Sequence, residues 1–494
     1  MDITVYEGAP GSRKTLTLLD QFVSVPGRYL VAFPRTPLID EQADYCRQKA
    51  KEIGTRPFIV SYHSKQPSHR RQVGRQIEKA LKANAGLSHV VIMITHSALL
   101  DLDPRLLAGW HTGIDENLDG SVVSGTFRAS ASWSVLERHY RLDPLPDGRV
   151  WQALPRDGAP RLTRQQIAAE GSNGLTRFHT YASNPHRAVF VDVGDWQDAQ
   201  VARREVRWWS IWTPLVLDQC ASVTFTAAGY FESLPCRAAK WLSGGAINYA
   251  PIDLGAGKSR ASPRVRIHYY TRGHVGSTAW WETDDGIACL VQVSDHQKLI
   301  GGPGYWSSNE AIRLAFCKRF PGEWCPPKQA GTNSLIDHTS CLYIYSAKPQ
   351  MDDAPIIDLL GLDRDDIRRA REFEDIRQFV MRGAIRRPDY AGSYDIYLYD
   401  FAQAEDLASY LRRIGITDVE TVPVNEAKIM DEVRPGSQTS EKKTPPSREE
   451  KRERNKLSQQ KRRAKARADD EANGVVLRKR GRPKDRPVDP GAAP

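Results

Sequence analysis

No apolar run in this chain approaches the roughly 20 residues that a membrane-spanning helix needs, so no membrane partner is expected. No C-x-x-C pair occurs among the seven cysteines, Cys46, Cys220, Cys236, Cys289, Cys317, Cys325 and Cys341. That scatter argues against a disulfide scaffold, and reduced thiols in a cytoplasmic protein are expected. Zinc on Cys317 and Cys325 with a distant His stays open, although metal-ligand pairs are usually closer. The chain opens directly on a strand-like segment, so no signal peptide is expected. No internal repeat is evident. Most of the chain also lacks net charge. Ser437 to Pro494 holds 18 Lys/Arg and 9 Asp/Glu, a net +9 of the chain's +10, which leaves +1 for residues 1–436. The net basic character therefore belongs to the C-terminal segment, and a local basic groove in the body stays open.

The 494 residues suffice for two to three domains. Residues 1 to about 120 alternate strand-like and helix-like segments. Tyr29–Phe33, Pro57–Tyr62 and His89–Thr95 read as strands, and Leu38–Ile53 and Arg71–Ala85 as helices. Such alternation predicts an α/β fold with a parallel sheet covered on both faces. Residues 120–212 are less regular. Leu142 to Gly158 reads as loop, and a helix from Asp198 to Ile211 would carry Trp208, Trp209 and Trp212 near a core. Ser222–Thr226 reads as a further strand. A second strand-and-helix block runs from about Pro263 to Ile429, with strands expected at 265–270, 287–293, 341–345 and 394–399 and helices at 363–381 and 403–414. The expected division is 1–235 as the first domain, with an irregular insertion at about 120–212, then 236–434, then a disordered tail over 435–494, whose few large apolar residues cannot bury a core.

Gly8-Ala9-Pro10-Gly11-Ser12-Arg13-Lys14-Thr15 lies between a strand-like and a helix-like run and is one residue short of the phosphate-binding loop G-x-x-x-x-G-K-[ST]. Backbone N–H groups and a helix N-terminus in this context point at phosphate oxygens. Lys14 would reach the β- and γ-phosphates of ATP, and Thr15 would ligate Mg²⁺. Arg13 stands where the second glycine belongs. With a helical φ/ψ there it points outward or adds a cation near the triphosphate; otherwise it cripples the loop, and sequence leaves both open. Asp115-Glu116 follows by about 100 residues. An acidic pair at a strand end can hold the Mg²⁺ shell (Asp115) and activate water (Glu116). Gln378, Arg382 and Arg386 recur every four residues, so that on a helix they share a face able to neutralise a γ-phosphate.

In this order the motifs resemble superfamily 2 helicases of the DEAD/DEAH-like kind, particularly divergent ones from phages and mobile elements. Gly8–Thr15 is similar to motif I, Phe33–Gln42 to motif Ia, Ile94–Leu100 to the family's THxxL segment, Asp115-Glu116 to motif II, Val223–Ala228 to motif III, Ala330–Asn333 to motif V, and Gln378, Arg382 and Arg386 to motif VI. The resemblance implies two RecA-like parallel-sheet domains with ATP and Mg²⁺ in the cleft between them. It implies contacts to nucleic acid from Arg35, Thr36, Thr95, Thr332 and Asn333. Departures from the family pattern fall at Arg13 and Met381, where glycines are usual, and at the last arginine, Arg386. With no segment before the first strand, an adenine-reading Q motif is not expected.

Ser447 to Ala468 is densely basic and would give salt-sensitive, sequence-independent affinity for nucleic acid. Arg478-Lys479-Arg480-Gly481-Arg482-Pro483-Lys484 resembles an AT-hook, which places Arg480 and Arg482 in the minor groove of A·T-rich DNA. The leading expectation is an ATP-driven helicase or translocase acting on DNA more than RNA, in phage or mobile-element replication and alongside replication-complex proteins. The alternative is a non-enzymatic nucleic-acid-binding factor with a degenerate ATPase body.

Overall fold

The computed structural model describes residues 1–65, 72–128, 133–146, 148–159, 162–169, 173–202, 205–255, 260–328, 334–350 and 353–434. Met1–Glu432 forms one compact unit. Thr332, Asn333, Arg480, Arg482 and the basic tail lie outside the described residues.

Near-continuous apolar runs make the central strands. β1 (Asp2–Glu7), β2 (Arg28–Phe33), β3 (Phe58–Ser61), β4 (Val90–Thr95) and β5 (His111–Asp115) come first. An insertion follows with β6 (Val122–Phe127), β7 (Tyr140–Pro144), β8 (Val150–Pro155), β9 (Arg187–Asp192) and β10 (Val206–Trp212). The chain then returns with β11 (Ser222–Thr226) and β12 (Asn248–Asp253). The returning strands complete a seven-stranded parallel sheet in the order β12-β1-β11-β5-β2-β4-β3. Leu30 and Ala32 of β2 face one core with Ile77 and Leu81, while Val31 and Phe33 face the other with Leu18, Phe22 and Ile39. Burial on both faces is why the run is apolar at every position. The helix Thr36–Ile53 starts with a proline in its first turn and ends on Gly54 at φ 77°, the pairing that delimits helices without a side-chain cap.

The second domain carries β13 (Arg264–Thr271), β14 (Tyr305–Ser308), β15 (Glu323–Trp324), β16 (Ser340–Ile344), β17 (Ser393–Asp400) and β18 (Val419–Pro423). They form a parallel sheet in the order β15-β14-β16-β17-β13-β18. The expectation of two parallel-sheet α/β domains is met.

Several local expectations are corrected. The insertion is not irregular: β6-β10-β9-β8-β7 is an antiparallel sheet, and residues expected as loop between 142 and 158 supply most of β7 and β8. The stretch read as one helix over 198–211 is the helix Val193–Ala202 followed by β10. Trp208 and Trp209 enter opposite cores, which a strand achieves by alternation and a helix does not. Residues 287–293 are not a strand but lie within the helix Asp284–Leu299. Its N-terminus is fixed by Thr283, whose Oγ1 accepts from Gly286 N at 3.1 Å, and Cys289, Leu290 and Val293 bury at helical spacing. The first sheet also reaches beyond residue 235, because β12 pairs with β1.

The insertion touches both parallel-sheet domains. Val150, Phe190, Trp209 and Ile211 share one apolar cluster with Ala238 of the first domain and with Ile356, Leu359 and Leu360 of the second.

Candidate nucleotide site

The loop after β1 is shaped by two glycines. Gly8 has φ 135° and Gly11 φ 88°, a region costly for L-residues. A Cβ on Gly8 would meet Ser12 Oγ at 2.7 Å, and one on Gly11 would meet the Arg386 carbonyl oxygen at 3.1 Å. The second-domain arginine thus packs directly on the loop. Ser12 Oγ is buried without a hydrogen-bond partner, and the helix Lys14–Ser24 begins with no acidic residue in its first turn. These features fit an anion above the loop.

Arg13 takes the left-handed conformation, φ 67° and ψ 25°, at the helix N-cap. The loop therefore keeps a glycine-like geometry with an arginine in it, at a cost of roughly 1–2 kcal/mol. The side chain is exposed and lies beside the Tyr45 phenol; burial and Asp20 push that phenol up to about 12 against the opposing effect of Arg13. The expected helical φ/ψ is thus corrected to a left-handed one, and the exposed Arg13 also lines the cavity above the loop.

Lys14 is buried, and its Nζ donates to the carbonyls of Gly8 at 2.7 Å and Ala9 at 3.0 Å. Burial lowers its pKa to about 8 despite the nearby Glu116, Asp115 and Glu374 carboxylates. Thr15 Oγ1 donates to Asp115 Oδ1 at 2.6 Å, and Thr226 Oγ1 donates to the same oxygen at 2.8 Å. Asp115 is 2% exposed, and burial followed by the Glu116 charge pushes its carboxyl up. The donor set, a carboxylate and a threonine hydroxyl beside a phosphate loop, is hard oxygen and fits Mg²⁺. Among the described residues no group of three or more His, Cys, Asp or Glu side chains could hold a metal ion, so a cation here would need phosphate oxygens and water as further ligands.

Glu116 sits at φ 65°, and its N–H donates to the Thr226 carbonyl at 3.2 Å. A non-glycine residue held in this region at a strand end is strained, and such strain concentrates at functional sites. His96 Nε2 bonds the Asp115 carbonyl at 2.8 Å. Burial lowers the imidazole to about 4, so it is a neutral support for the acidic pair at pH 7.

From the second domain come Gln378, Arg382 and Arg386. They do not share one helix: the helix Glu374–Val380 stops before Arg382, and Arg386 lies in a separate short turn, Ala384–Arg386. The break still delivers all three to the cleft. Arg382 Nη2 lies 4.0 Å from Glu116 Oε1. Gln378, Arg382 and Arg386 line a cavity of about 450 Å³ together with Lys14, Thr15, Asp115 and Glu116. A neighbouring cavity of about 660 Å³ shares Glu116, Gln378 and Arg382 and also takes in Arg35 and Ser97. Arg35 is partly buried; desolvation and the nearby Arg382 charge lower its pKa. Thr95 is engaged as a helix cap, its Oγ1 accepting from Ala98 N at 3.2 Å, and Thr36 opens the helix Thr36–Ile53. His96 and Thr226 fall inside the segments similar to THxxL and motif III, but sequence reasoning gave neither an individual role. Their signal was position: each stands at the C-terminal end of a strand, where open α/β sheets bind ligands.

No family model matches the sequence, and no curated protein matches it. Among solved structures the chain is similar to an XPD helicase, with 9% identity over 85% of this chain and 96% of that chain and a TM-score of 0.47. It is similar to S. tokodaii Xpd4, with 13% identity, 85% and 96% coverage and a TM-score of 0.42. It is also similar to a DEAD box protein from the hyperthermophile Methanococcus jannaschii, with 9% identity, 85% and 88% coverage and a TM-score of 0.28.

Two outcomes follow from the loop. Replacing Arg13 by Gly removes the left-handed cost and is expected to stabilise the protein by about 1 kcal/mol, raising the urea midpoint without loss of ATP affinity. A lower midpoint would mean that Arg13 contacts outweigh the strain. Lys14 has a folded pKa of about 8 against an ordinary 10.5. Between those pH values the unfolded chain binds more protons, so stability rises with pH. The wild type should gain stability relative to Lys14→Met as pH is raised from about 8 to about 10. Parallel stability-against-pH curves for the two proteins would contradict the burial argument.

Proposed function

We propose that this chain is an ATP-dependent nucleic-acid helicase or translocase acting on DNA. One observation carries the reading: phosphate loop, acidic pair and second-domain arginines line a single cavity from its two sides. A site that needs both domains to be complete suits a reaction coupled to their relative motion.

Lys14 binds and neutralises phosphate oxygens, and the loop amides orient the triphosphate. Thr15 and Asp115 would hold Mg²⁺, which would offset negative charge on the phosphate oxygens. Glu116, held by its backbone bond to Thr226, orients the attacking water and accepts its proton. Arg382 and Arg386 offset charge that spreads over the γ-phosphoryl oxygens as the bond to the leaving group breaks. Hydrolysis removes the anion that both arginines share with Lys14. The cleft then loosens, and alternate tightening and loosening moves one domain along a strand relative to the other. Arg35, Thr36 and Thr95, with Thr332 and Asn333, are the proposed strand contacts in the body. The basic tail, with Arg480 and Arg482, adds salt-sensitive DNA affinity.

Lys14→Ala should abolish ATP binding and hydrolysis. Glu116→Gln should lower kcat by roughly 10²–10⁴-fold while ATP still binds, read by equilibrium nucleotide titration beside steady-state ATPase. Full activity in both variants would remove the reading. Deleting residues 437–494 should leave basal hydrolysis intact and make the slope of log affinity for duplex DNA against log salt shallower. Identical slopes would assign DNA binding to the body alone.

A further inference from the structure

Beside the nucleotide cavity a chain of contacts joins Arg382 and Glu116 to two side chains, Gln378 and Glu374, that the hydrolysis just described does not use. Glu374 Oε1 accepts from Gln378 Nε2 at 2.9 Å. Gln378 Oε1 accepts from Arg382 Nη2 at 3.4 Å. The same Arg382 nitrogen stands 4.0 Å from Glu116 Oε1. The Gln378 amide can serve both neighbours in only one orientation, because it has one donor end and one acceptor end. A carboxylate at 374 requires the NH₂ end, which leaves the carbonyl oxygen for the guanidinium.

Glu374 is linked to the other domain through Arg377 and lies close to a first-domain turn. Its Oε2 lies 3.8 Å from Arg377 Nη1, which pairs with Glu232 of the first domain at 3.2 Å. Gly229 belongs to the same first-domain turn, with φ 61°; a Cβ there would approach Glu374 Oε2 to 3.3 Å. The turn directly follows β11, whose last residue, Thr226, bonds Asp115. The connection thus runs from Asp115 to Thr226, along the chain to the turn, through Glu232 and Arg377 to Glu374, and by Gln378 to Arg382 and back to Glu116.

We propose that Glu374 is a positioning residue: by fixing the orientation of the Gln378 amide it places the Arg382 guanidinium at Glu116, and it does so only while the Gly229–Glu232 turn is docked against it. This rests on the ATPase reading above for its consequence in catalysis, but the placement of Arg382 is independent of it. Burial holds the Glu374 carboxyl up at about 7, so the neutral amide of glutamine is a fair substitute there, with an oxygen able to accept from Gln378.

The test compares Glu374→Met, which keeps length and loses the acceptor, with Glu374→Gln, which keeps both. In steady-state ATPase, Glu374→Met should lower kcat roughly 10- to 100-fold with KM and melting temperature little changed, and Glu374→Gln should restore kcat to within about threefold of wild type. A crystal structure of Glu374→Met should show Arg382 withdrawn from Glu116. Arg382 unmoved in that structure would overturn the proposal, as would equal losses in the two variants or an unaffected kcat in Glu374→Met. A wild type without ATPase would overturn the ATPase reading instead, and the Arg382 position in Glu374→Met would still decide this one.

Discussion

The site depends on one buried oxygen. Asp115 Oδ1 accepts the hydroxyls of Thr15 and Thr226 and so ties together the phosphate-loop helix, the end of β5 and the end of β11. Removing a carboxylate from water is unfavourable unless it is hydrogen-bonded or paired with a cation. Two hydroxyl donors meet part of that demand, and the upward push on the Asp115 carboxyl shows that part remains. A divalent cation would meet it. The same economy holds for Lys14, whose ammonium is desolvated against loop carbonyls and is held to about 8. Both ions are costly in the protein alone and become favourable with a polyphosphate and its metal, which is how a site stores affinity for a charged ligand.

The second constraint is that the arginines belong to another sheet. Arg386 packs on Gly11 and Arg382 approaches Glu116, so the geometry of the site is a geometry of domain docking. The insertion adds to this. Its β8-β9-β10 face shares an apolar cluster with helices of both domains, and Arg149 pairs with Asp358 at 3.7 Å. Any opening of the cleft must shear or carry along that cluster.

Much of this was legible in the residues, for physical reasons that differ from element to element. β2 and β4 are apolar at nearly every position because both faces are covered, and a run such as Val90–Ile94 has few other interpretations. The phosphate loop was legible from Gly8, Gly11, Lys14 and Thr15 because backbone φ and charge are residue-specific demands. The conformation of Arg13 was not, since the same residue serves a helical or a left-handed backbone and only the surrounding loop decides. β10 was misread because Trp208 and Trp209 are apolar on both sides of the strand, which erases alternation. Residues 287–293 were misread because a short apolar run suits strand or helix alike. The helix face imagined for Gln378, Arg382 and Arg386 broke at Met381, yet the residues converge through a turn whose path is set by tertiary packing. Glu374 left no trace in the sequence at all; its interest lies in contacts from a turn about 140 residues away.

The central claim is that the two-sided cavity hydrolyses ATP and couples it to a nucleic-acid strand. Steady-state ATP hydrolysis by the full chain, titrated with single-stranded DNA in the presence of Mg²⁺, tests it most directly. The account predicts a basal rate that rises and saturates with added DNA. No hydrolysis with or without DNA or RNA would contradict it and leave a nucleic-acid-binding protein whose ATPase body is silent.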